Sequence, residues 1–313
     1  MIHMKYYLIL IITIFLSLGL GMIIGISLES KDILERQQTM IAKQLEEEFI
    51  GIRNENRQLK AQINTLKENN RSIDELCNVL FTSLVQNRLE GLRVAIVETS
   101  DKNDYSTLIQ LLKLSGASIE SNITLRQSIF SQDSDIKDVI EVASNQQIEV
   151  AELYTWLAEN LVESLISGQA TRPISYLNEL HLLRSLINIQ SGCDVIILAG
   201  NGKNKNNSHI EFDLSLIKAS LDRGLPIIAV ENERVSDSAI TDYKKLGIST
   251  VDHIDTMYGK LSLISILSGN VGNYGIRDES SDGLMPNPLF SYSITEYQSG
   301  YTEEALDISE YDN

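Results

Sequence analysis

Residues 251–260 read VDHIDTMYGK, which puts Asp252, His253, Asp255 and Met257 within six positions. Carboxylate, imidazole and thioether are all ligands of transition metals. A cation there needs its ligands to converge, and successive residues of a strand point to opposite faces. STVDHI (249–254) reads as a strand, and GKLSLISILSGN, which follows the segment, reads as a helix with Met257, Leu261, Ile264 and Leu267 on one face. In that frame Asp255 or Thr256 is the N-cap, accepting a backbone N–H of the first turn, and Gly269 is the C-cap. The four residues are therefore weak metal candidates, and the spacing favours a strand handing over to a helix.

The rest of the chain advertises no catalytic centre. There is no G-x-S-x-G elbow, and His3, His181, His209 and His253 show neither H-E-x-x-H nor paired spacing. His181 lies in YLNELHLLRSLINI, which reads as a helix. Cys77 and Cys193 make no C-x-x-C or Cys/His cluster, so a structural zinc site is excluded. Soft Cu(I) calls for Met and Cys and Cu(II) for His, yet the six Met form no cluster beyond the spacing of Met1 and Met4, and no H-x-H occurs. GNGKNKNNSH (200–209) has Gly and Lys, but no Ser or Thr follows Lys203, and it reads as a polar loop rather than a phosphate cradle. The expectation is a non-enzymatic protein with no evident cofactor.

What must position these residues is an alternation of apolar runs and helical stretches. RVAIVET (93–99), ASIESNITL (117–125), CDVIILAG (193–200), LPIIAVEN (225–232) and STVDHI read as strands, each followed by helical material. Continuous rather than alternating apolar runs belong to strands covered on both faces. The fold class is α/β: a three-layer, Rossmann- or flavodoxin-like domain with a mainly parallel sheet over 91–270, carrying a helical insert at 147–190 that holds Trp156.

The first 90 residues differ. Tyr6–Leu28 is 23 residues without a charge, enough for a helix to span about 30 Å of hydrocarbon. Its length exceeds a signal-peptide core and no A-x-A-like site follows, so 1–28 reads as a retained transmembrane anchor in membrane lipid. Ser17, Gly21 and Gly25 form a small-xxx-small stripe along it. Over 29–90 a heptad takes over. Leu45, Ile52, Leu59, Leu66, Ile73 and Leu80 occupy d, while Phe49, Asn56, Ile63, Asn70, Cys77 and Leu84 occupy a. That pattern predicts a parallel coiled-coil homodimer about 60 Å long, its register fixed by the two Asn at a. Cys77 at the seam has two readings, an inter-chain disulfide or a small buried apolar residue.

The net charge of −17 argues against nucleic acid as a partner. Residues 277–313 carry nine acids against one Arg, and 271–313 reads as an acidic, disordered tail.

Taken in order, LSLGLGMIIG, LEEEFIGIRNENRQL, GLRVAIVET, VDHIDTMYGK and GNYG…LMP (272–275, 284–286) resemble the MctB family of copper transport proteins, over nearly the whole chain to about residue 286. In VDHIDTMYGK the resemblance rests on Val-Asp, Asp-Thr and Gly-Lys, not on His253 or Met257. It implies an envelope protein anchored in the cell membrane, with its globular domain outside the cytoplasm and a role in copper homeostasis. Copper enters by resemblance alone. The residues by themselves leave two other classes open: a dimeric envelope scaffold or sensor without a copper role, and an extracytoplasmic small-ligand-binding α/β domain.

Overall fold

The computed structural model describes residues 4–100, 104–130, 141, 152–187, 191–203 and 208–290. The chain divides into two units, Met1–Cys77 and Asn78–Asn313.

Helix α1 (Met4–Val85) is continuous over 82 residues, and no Pro interrupts it. Met4–Ile26 is long and apolar enough to cross a membrane. Its polar side chains bond back to the helix: Thr13 Oγ1 donates to the Ile9 carbonyl at 2.5 Å and Ser17 Oγ to that of Ile14 at 3.0 Å. Such back-bonding satisfies the hydroxyl donors within the helix itself. In the single chain the heptad positions stand exposed, Ile52 by 57% and Leu66 by 61%. A helix with so long an apolar stripe is stable in water only when that stripe is covered.

The second unit is a mostly parallel seven-stranded sheet in the order β3-β2-β1-β4-β5-β6-β7. The strands are β1 (Arg93–Glu98), β2 (Ser118–Leu125), β3 (Leu183–Ile187), β4 (Val195–Ala199), β5 (Ile227–Val230), β6 (Ser249–Val251) and β7 (Asn273–Tyr274). The helices are α2 (Ser106–Leu114), α3 (Leu153–Ser167), α4 (Arg172–Glu179), α5 (Ser208–Asp222), α6 (Ile240–Lys244) and α7 (Met257–Leu267). All strand pairs are parallel except β2–β3. Alternate residues of each central strand feed two cores. Ala95, Val97, Ile196 and Leu198 pack under α3 to α6, whereas Val94, Ile96, Val195 and Ile197 pack under α2, α7 and the final turns of α1. Helices thus cover both faces, which is why the strands read as unbroken apolar runs.

Four expectations are corrected. The insert is not helical to its end, because LRSLI (183–187) is an antiparallel strand closing the sheet beside β2. His181 leaves the expected helix and sits exposed in the left-handed turn that joins α4 to β3, with φ of 56°. Residues 147–151 and 188–190 of that insert lie outside the described residues. The expected tail does not begin at 271: Asn273 and Tyr274 pair with β6, and Phe290 is buried under the Arg88 guanidinium, 3.9 Å from its ring centroid. From 291 onward the tail lies outside the described residues. Finally, β6 stops at Val251, three residues short of the expected strand end.

Candidate functional site

The early end of β6 decides what VDHIDTMYGK does. His253 adopts φ of 48°, so the chain turns and His253 Nδ1 donates to Asp252 Oδ1 at 2.7 Å instead of pointing to the opposite face. Asp252 is fully buried, and its oxygens are filled by other donors. Oδ1 also accepts Ile276 N at 2.9 Å, while Oδ2 accepts Arg277 N at 3.0 Å and Ser280 Oγ at 2.5 Å. The carboxylate clamps the 275–280 loop to the end of β6. Gly275 makes the clamp fit: its φ is +150°, and a Cβ there would lie 2.0 Å from Asp252 Cγ.

The remaining residues serve the helix start. Thr256 is the N-cap of α7, accepting Gly259 N at 3.2 Å and donating to the His253 carbonyl at 2.6 Å. Asp255 is exposed, and its Oδ1 accepts Glu233 N at 3.0 Å, tying the turn after β6 to that after β5. A Cβ on Gly259 would lie 2.3 Å from the His253 carbonyl oxygen, so this glycine lets α7 begin against the turn. Met257 is half-buried in the first turn. Of the Met257–Leu261–Ile264–Leu267 row, Ile264 is buried and Leu261 and Leu267 pack partly buried against the core, and the buried face of α7 extends to Leu263 and Ile266. The structure thus brings Asp252 and His253 together, and gives Asp255 a separate backbone partner.

At the end of β4, Lys203 N donates to the Asp237 carbonyl at 2.7 Å and Lys203 Nζ pairs with Asp242 at 3.0 Å. That bond raises the Lys203 pKa, and together with Lys245 it holds the Asp242 carboxyl below the ordinary value. The cation thus fastens the start of the loop to α6, and residues 204–207 lie outside the described residues.

A second group of polar residues gathers at the carboxyl ends of β1, β4 and β5, where the strand order reverses and where open α/β sheets bind ligands. Tyr105 Oη, at the start of α2, donates to the Gly200 carbonyl at 2.7 Å. Tyr243 Oη, on α6, donates to Asp213 Oδ2 at 2.5 Å. Glu231 Oε1 accepts Ala239 N at 2.8 Å, which fixes the start of α6. Thr124 Oγ1 donates to Glu98 Oε2 at 3.3 Å. Burial dominates the electrostatics. It pushes the Asp213 carboxyl up to about 7, raises Glu231 and Glu98, and lifts both tyrosines well above their ordinary value.

Asp213 and Glu231 were not among the residues singled out by spacing. A signal existed for Asp213: His209, Asp213, Leu216 and Ser220 recur at helical spacing and are all buried, so the acid lies in the inward stripe of α5. Glu231 directly follows the apolar run of β5.

Among the described residues no group of three or more His, Cys, Asp and Glu is placed to hold a metal ion. No curated protein matches the chain. A family model does, that of the copper transport outer membrane protein MctB, over residues 1–286. The match takes in the apolar helix, the heptad region, the sheet and the Asp252-clamped loop, and the chain belongs to the MctB family.

Proposed function

We propose that the protein is a non-enzymatic, membrane-anchored homodimer of the cell envelope that serves copper homeostasis, with its α/β domain outside the cytoplasm. The family match over 1–286 carries this reading, and the apolar Met4–Ile26 helix supports the anchor. Copper is cargo or stress signal here, not a resident cofactor. Deleting the gene is expected to change copper tolerance and cell-associated copper, and re-expression of the full chain to restore both. Unchanged tolerance and copper content would leave the second reading, a copper-independent scaffold or sensor. A pull-down after crosslinking that recovers only this chain would count against that scaffold.

The dimer rests on the exposed heptad stripe. In a parallel, in-register pair, Glu48 and Glu55 at g face Arg53 and Lys60 at e of the other copy, which adds charge complementarity to the Asn56 and Asn70 pairs. The two Cys77 thiols then meet across the seam. Cys193 is buried and its thiol pushed up to about 11, so it contributes little thiolate. In membranes carrying a Cys193→Ser chain, mild oxidation with diamide is expected to give a Cys77-linked dimer on a non-reducing gel. A monomer band alone sinks the parallel register.

A further inference from the structure

We propose that Asp213 and Tyr243 form a proton-operated latch, which fastens α5 and α6 to the sheet while Asp213 is protonated and loosens them when it ionises. The inference is independent of the copper reading.

The latch sits where the sheet changes its winding direction, β1 leading to β2 on one side and β4 opening the run to β7 on the other. Asp213 projects from α5 and is fully buried. Groups from every neighbouring element face it. Tyr243 from α6 donates to Oδ2 at 2.5 Å. The buried Thr99 hydroxyl, past the end of β1, stands close enough to favour the carboxylate, yet neither it nor Asp213 Oδ1 closes a hydrogen bond. Glu231, past the end of β5, adds a like charge, and its own Oε2 has no hydrogen-bond partner. Tyr105 comes from the start of α2. His209, one turn earlier on α5, has Nδ1 3.0 Å from the Thr99 carbonyl oxygen and Nε2 3.0 Å from the Gln127 amide. No Lys or Arg acts on Asp213 itself, although Arg277 and Lys203 act on Glu231.

An ionised Asp213 therefore lies fully buried beside a second carboxyl group, with one phenol as its donor. A buried charge so poorly matched is costly, and the proton removes that cost. Relief without the proton requires water to reach Asp213, which means moving α5 or α6 away from the strand ends. The short α6 is held at both ends by these groups: Glu231 fixes its first N–H through Ala239, and Tyr243 anchors its last turn.

The direction in pH follows. Burial raises the folded-state value from 3.8 to about 7, so the closed form binds the extra proton between those limits. Closure is strongest on the acid side, weakens as pH rises through that window, and levels off above it.

Hydrogen exchange on the full chain in detergent micelles, corrected for intrinsic rates, tests this. In the native chain the opening equilibrium of peptides from α5 and α6 is expected to rise about ten-fold per pH unit from about 5 to about 7 and then level. Asp213→Asn should abolish that slope in α5 and α6. Tyr243→Phe, which removes a bond favouring the charged form, should carry the levelling point to higher pH. An identical slope in Asp213→Asn, an unmoved levelling point in Tyr243→Phe, or no slope in the native chain would each overturn the latch.

Discussion

Asp252→Ala is expected to lower the thermal unfolding midpoint of the α/β unit by about 10 °C, the largest loss from any single side chain of VDHIDTMYGK. The residue is fully buried and accepts from two backbone N–H groups, one hydroxyl and one imidazole. Truncation leaves the N–H groups of Ile276 and Arg277 without an acceptor, each orphan costing about 1–3 kcal/mol. The loss of Ser280 and His253 as bonded partners and the space left behind bring the total to about 4 kcal/mol. For a unit of this size that corresponds to about 10 °C. Near-UV circular dichroism of the full chain in detergent during heating measures it. A companion His253→Ala change, which removes one donor and leaves three, separates clamp from ligand cluster: a loss as large as that of Asp252→Ala would contradict the clamp.

That expectation also marks how far the sequence could be read. The apolar N-terminal helix and the four central strands are legible because each rests on local pattern: an uncharged run, and apolar stretches ended by turns. The strand β3 is not, because LRSLI has the apolar spacing of a helix as much as of a strand. What makes it a strand is the open edge of β2, and that edge lies about sixty residues earlier. The two-residue strand β7 is too short for any periodicity, and its order comes from β6 beside it and from Asp252. The partners of Asp252 are hidden for the same reason. Spacing shows that Asp252 and His253 are adjacent. It does not show that the strand stops at Val251, nor that donors twenty-four to twenty-eight residues away fill the carboxylate. The helix cap was legible, since Thr256 needs only its own first turn. The buried acids were half legible: the helical stripe of α5 flags Asp213, but its neighbours Tyr243 and Glu231 reach it only through the packed sheet.

The clamp predicts a second large effect on the other side of the same contact. Gly275→Ala is expected to destabilise the α/β unit by about 4 kcal/mol, from two separable causes. A φ of +150° is strained for any residue with a Cβ, at about 1–3 kcal/mol. The remainder is collision, since the new methyl would lie 2.0, 2.1 and 2.2 Å from Cγ, Oδ1 and Oδ2 of Asp252. Only the second cause depends on the partner. In an Asp252→Ala background the carboxylate is gone, so adding Gly275→Ala should cost only the backbone strain. The double variant is then more stable than the sum of the singles by about 2 kcal/mol. Additive losses would show that Gly275 is required for its backbone alone, and that the GNYG turn and the Asp252 carboxylate are not the two halves of one contact.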